Sequence, residues 1–139
     1  MQELAAIENL QWLIKNAWEK CRQYQQTVDD CDKQLARLEP VYREFADIKS
    51  DFKKARGNTR AVFSEKGSWR GEKYTAFRTM GDMIDDNCGS YYAQLDAAHD
   101  ALNRKIGDLE ATKRQLIPLI GNLLAQIEQW ATEIENAWN

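Results

Sequence analysis

Proline and glycine are scarce, with two prolines and seven glycines in 139 residues. That leaves little material for the tight turns an all-β fold needs. No apolar run approaches the roughly 20 residues that a membrane span requires. The longest candidate, "LIPLIGNLLA", is about half of that, so stable membrane insertion is not expected. The opening "MQELAAIENL" has neither a basic n-region nor a continuous apolar h-region, so no cleavable signal peptide is visible and a soluble protein is expected. Charge of one sign is also lacking: a net charge of -3 demands neither a polyanionic nor a polycationic partner. With 43% hydrophobic and 29% charged residues, the composition fits neither a disordered nor a membrane-embedded chain.

Chemistry-bearing constellations are equally sparse. The three cysteines, Cys21, Cys31 and Cys88, have no metal-type spacing and cannot all pair. They read as small buried apolar residues with free thiols, which suits folding in the cytoplasm. The single histidine, His99 in "LDAAHDAL", has Asp96 and Asp100 nearby but no further converging ligands, and reads as a solvated side chain. "DMIDDNCGSYY" is acidic in an EF-hand manner, but its glycine and later acidic spacing are wrong, leaving an acidic patch whose glycine loosens the helix. No nucleophile–base pair, phosphate-cradling loop or paired carboxylates stand out. The sequence therefore implies a non-enzyme with no catalytic, cofactor-binding or metal-ligating residues.

What the chain does have is helical rhythm. In the first half Ile7, Leu10, Ile14, Ala17, Cys21, Tyr24, Val28, Cys31, Leu35, Leu38, Tyr42, Phe45, Ile48, Phe52 and Ala55 recur at spacings of three and four. In the second the stripe runs Phe77, Met80, Ile84, Cys88, Tyr91, Leu95, Ala98, Leu102, Ile106 and Leu109. After Lys113, a polar intrusion, it resumes through Leu116, Ile120, Leu123, Ile127, Trp130, Ile134 and Ala137. The mean step from 77 to 137 is about 3.5 residues, the coiled-coil repeat. These segments predict an all-α fold: one long antiparallel two-helix hairpin over residues 1–139. Arm 1 spans about 3–63, a turn about 64–71, and arm 2 about 72–137. Pro40 and Pro118 predict kinks, since each removes a helical N–H and clashes with the preceding turn. A reversal at 66–67 sets position i against about 133 minus i.

The reversal falls on "SEKGSWRGEKYTAF". Glycine supplies the positive φ a reversal often needs, and Ser68 reads as N-cap of the second helix. Gly71 occupies the site where a capping box would want Glu or Gln, and its bare backbone leaves Trp69 beside an opening.

Trp69-Arg70-Gly71, midway between two apolar heptad arms, resembles the Trp-x-Gly turn of the WXG superfamily, the small helical hairpins of type VII secretion. "SWRGEKYTAF" is similar to the family pattern of W-x-G followed by a small or polar stretch and an aromatic, here Phe77. The long first arm, with "LARLEPVYREFADIKSDF", is closer to the YwqH-like branch. The resemblance spans about residues 30–115. It implies a bacterial targeting factor that binds the helical N-terminal domain of an LXG toxin and accompanies it through the secretion machinery. A second small helical protein would be a further partner, and a homodimer is compatible with the same surfaces. Trp69 and Gly71 would form the recognition tip. The protein would be cytoplasmic before export, then secreted without a cleavable signal peptide. The family's Y-x-x-x-D/E export motif has one match, Tyr92 and Asp96, placed mid-arm rather than near the C-terminus.

Four of the five tryptophans, Trp12, Trp18, Trp130 and Trp138, gather toward the end remote from the turn. Aromatic anchors off the main stripe read as a partner interface, or as side chains that thicken a thin core. Residues 49–73 hold eight basic and three acidic side chains. They read as a solvated tip, a docking surface for an acidic partner, or, against sparse aromatic interleaving and an acidic whole chain, a nucleic-acid contact. The competing reading of the whole is a self-assembling coiled-coil scaffold with no secretion role.

Overall fold

The computed structural model describes residues 2–64 and 71–139. Two helices, α1 (Gln2–Ser64) and α2 (Glu72–Trp138), account for almost all of these, packed antiparallel as an all-α helical hairpin; the described residues contain no strand. Strong helix formers dominate both, and each opens with an acidic residue, Glu3 and Glu72, against the positive end of its dipole.

The seam of α1 is a strict heptad. From Ile7 to Phe63, at alternating steps of three and four, every position is buried or half-buried. The expected stripe departs from it at two points: Ile48 and Ala55 are exposed, and Lys49 and Arg56 take their places. On α2 the seam runs from Tyr74 to Ile134 with one extra step of four, Ile84–Cys88–Tyr92, a stutter. Here too the stripe is corrected, for Met80 and Tyr91 are exposed while Gly81 and Tyr92 face inward. The reason is geometric. One residue along a helix is about 100° around it, so an unbroken helix puts whatever side chain falls at the repeat onto the seam.

The register is also corrected. Trp130 packs against the cluster containing Ile14, not against residue 3. Asp32 pairs with Lys113, and Phe63 meets Phe77 at 4.7 Å between ring centroids. Pairing is therefore displaced by about two to three turns. α2 starts only at Glu72, and side chains lean toward the N-terminus of their own helix, which carries each contact further.

Both prolines lie inside continuous helices. Each removes a bond to a carbonyl four residues back. Both are exposed on the side away from the seam, where water can reach the freed group.

The chain divides into two compact units. The first comprises Met1–Ala36 and Gly107–Asn139, and it contains all eight buried hydrophobic side chains found among the described residues: Ile7, Ala17, Cys21, Val28, Cys31, Leu35, Leu109 and Ile127. None of them falls below 2% exposure, as a two-helix seam with one wet flank on each side requires. Lys113, the polar intrusion, sits half-buried in this seam and donates to the Asp32 carboxylate, which raises the lysine's pKa. The second unit, Arg37–Ile106, has no buried hydrophobic side chain among its described residues. Aromatic pairs and ion pairs hold it instead.

Candidate interaction site

In the first unit, Ala17, Cys21 and Ile127 form a core with Ile14, Leu123 and Trp130 packed against it. Trp130 is thus part of the fold. Trp12, one turn before Ala17 on the outer side of α1, is 62% exposed. With Trp130, Leu13, Lys20, Gln23 and Leu123 it lines a groove of about 510 Å³. Trp18 and Trp138 are also exposed, at 45% and 70%, but do not line this groove. The structure therefore joins Trp12 and Trp130 in one concavity and leaves Trp18 and Trp138 apart from it.

Trp69 and Ser68 lie outside the described residues, so the expectation on Trp69 stands outside what is described, while the N-cap expected at Ser68 falls instead on Gly71. Gly71 is described: its φ is +68°, left-handed and cheap only for glycine. Its carbonyl accepts the Thr75 N–H at 3.0 Å and the Thr75 hydroxyl at 3.2 Å. Gly71 therefore holds the N-cap position of α2, one residue before its first helical residue.

Tyr92 and Asp96 are brought together by a shared partner. Lys49 donates to the Asp96 carboxylate and lies 5.8 Å from the centroid of the Tyr92 ring. The hydrogen bond that Lys49 donates to Asp96 raises the Lys49 pKa. Lys49 also reaches His99 Nδ1 at 3.4 Å. Lysine only donates, so Nδ1 accepts, and the buried Nε2 is left without a partner among the described residues. His99 stacks on Tyr42 at 4.2 Å and 15°. The solvated histidine expected from sequence is instead a half-buried seam residue, because position 99 falls on the α2 repeat.

Two to three turns nearer the tip, Asp85 is clamped by two arginines. Arg60 Nε donates to Oδ1 at 2.6 Å and Arg56 Nε to the same oxygen at 2.9 Å. Arg60 Nη2 and Arg56 Nη2 reach Oδ2 at 3.1 and 3.3 Å. The Arg60 bond first, then the Arg56 bond, holds the Asp85 carboxyl well below the usual carboxylate range. Arg56 also needs room, and Gly89 provides it: a Cβ there would lie 3.0 Å from Nη2. Gly89 therefore accommodates a cross-seam side chain rather than loosening the helix.

Three of the eight basic side chains of residues 49–73, Lys49, Arg56 and Arg60, are thus paired with carboxylates of α2. Sequence reasoning missed Lys49, Arg56, Asp85 and His99 as seam residues. The signal was present: extending the seven-residue repeat of Ile7, Ile14, Cys21, Val28, Leu35 and Tyr42 reaches positions 49, 56 and 63. No group of three or more metal-binding side chains converges among the described residues, and no helix there is long and apolar enough to cross a membrane. No family model, curated protein or solved structure matches this chain.

Proposed function

We propose that this protein is a non-enzymatic helical targeting factor of the WXG type, which binds the helical N-terminal domain of an LXG-type toxin and supports its export by type VII secretion. What carries the reading is an imbalance in burial. Two helices of 63 and 67 residues bury only eight hydrophobic side chains, while Trp12, Trp18 and Trp138 stay largely in water. Exposed tryptophans on rigid helices are the usual anchors of protein interfaces. The Trp-x-Gly at 69–71, with Gly71 capping α2, supports the family side of the proposal.

Co-expression with an LXG toxin in a type VII-competent cell tests it. Trp69→Ala is expected to abolish toxin export while far-ultraviolet circular dichroism shows unchanged helicity. Undiminished export from that variant refutes the role of the tip. A stable homo-oligomer that ignores added toxin domain would instead indicate a self-assembling scaffold.

A further inference from the structure

The second unit has one side that the ion pairs do not use. From 76 to 101, α2 presents Ala76, Met80, Met83, Ser90, Tyr91 and Ala97 on a face without a single charged residue. Asp86 and Asp100 border this face beside Met83 and Ala97, the other charges of that stretch lie further round, and two of these, Asp85 and Asp96, pair with Lys49, Arg56 and Arg60. The uncharged face is open: Met83 is 61% and Tyr91 51% exposed, and toward the tip it runs into a groove of about 930 Å³ that Glu72 also lines.

α1 supplies a second rail. Val41, Ile48, Ala55 and Val62 are exposed at intervals of seven, one position off the seam. They lie on the uncharged side, because Tyr91 leans on Phe52 at 5.1 Å while Lys49, Arg56 and Arg60 close the other side. An apolar rail on α1 and an uncharged one on α2, where Ser90, Asn87 and Gln94 interrupt the apolar residues, form the bed for a third helix. Small residues let its backbone approach, and methionines adapt to its side chains.

The edge of the α1 rail names the occupant's charge. Glu44 and Asp51, seven apart, are exposed next to Val41, Ile48 and Ala55, and neither takes part in an ion pair among the described residues. A second copy of this chain would bring the same acidic edge and an α2 face with no cation to meet it. We infer that this face binds an amphipathic helix of another protein, with an uncharged apolar side and basic residues seven apart along the flank that meets Glu44 and Asp51. The inference rests on the reading of the chain as a helical partner protein and specifies what that partner presents.

A synthetic peptide of about 26 residues, the length of the face, tests it. It carries alanine and leucine on one side and lysine at every seventh position on one flank. Saturable binding to the full chain is expected, weakened about tenfold by Met83→Asp and by Ala97→Glu, and about tenfold when glutamate replaces the flank lysines. Both substituted positions are exposed, and circular dichroism checks that helicity is kept. Absence of binding, or binding that neither variant changes, overturns the inference. So does a homo-oligomer of the wild type that Met83→Asp dissociates. Trp12→Ala and Trp18→Ala should leave peptide affinity intact. If they abolish it while Met83→Asp does not, this face is wrong although helix binding by the protein stands.

Discussion

Gly81 and Gly107 both lie within α2, yet substitution by alanine should change stability with opposite signs. A Cβ at Gly81 would lie 2.7 Å from both Cβ and Cγ of Phe63, and 2.8 Å from Cδ1. Relaxed carbon contacts sit at about 3.5–4.0 Å, so roughly 1 Å must be found. The Phe63 Cβ is the root of its side chain and cannot swing away, so the helices themselves must part. Overpacking of this kind costs about 1–3 kcal/mol. Alanine in a helix interior is favoured over glycine by about 1 kcal/mol, which offsets part of it. Gly81→Ala should therefore destabilise by about 0–2 kcal/mol. At Gly107 nothing lies within 4 Å of the added carbon, so the full gain of about 1 kcal/mol should appear. In thermal melts followed by circular dichroism, this separates the two variants by several degrees. The Phe63→Gly background supplies the control, because it removes the Cβ, Cγ and Cδ1 that the new carbon would meet, so there Gly81→Ala should become stabilising, with a coupling of about 1–3 kcal/mol. The reasoning fails if Gly81→Ala raises the melting temperature as much as Gly107→Ala, or if the coupling is below about 0.5 kcal/mol.

Two further outcomes follow from the charged seam. Asp85 has a depressed folded-state pKa, so its contribution is present above the ordinary carboxylate value of about 3.9 and is lost as pH falls through the folded value. Lys49 and Lys113 are raised, so theirs is present below about 10.4 and is lost as pH rises through the folded values. Melting temperatures should accordingly be flat between about pH 5 and 9 and fall on both sides, while a steep change near neutrality would contradict this assignment. Lys113→Leu should leave the melting temperature unchanged or raise it. It extends the apolar seam beside Leu109 and Leu116 and leaves Asp32, 51% exposed, in water. A clear loss of stability would show that the ion pair, rather than apolar packing, holds that level.

Much of the fold is legible from spacing. The apolar positions from Ile7 to Phe45 mark the α1 seam, and the element bounds fall within a residue of those expected. Trp12 and Trp18 stand out in the sequence because they lie off the stripe, whereas Trp130 lies on it and packs against the core. What spacing did not convey was the chemistry of the second unit. There the repeat carries Lys49, Arg56, Thr59 and His99, and a reading that follows apolar residues slips to Ile48, Ala55 and Ala98. Side chains that slip in this way leave the seam and become the exposed rail of Ile48 and Ala55.

The sequence by itself determined two long helices, because helix formers and a 3.5-residue apolar repeat are local properties that no partner has to supply. It also determined that the repeat breaks between them, since glycines are punctuation in one dimension. Only the tertiary structure decided which residues oppose one another. That depends on where α2 begins and how far side chains lean across the seam, and no local pattern records either. The clamp of Asp85 by Arg56 and Arg60, the notch at Gly81 for Phe63, and the uncharged side left by one-sided ion pairing all follow from that register.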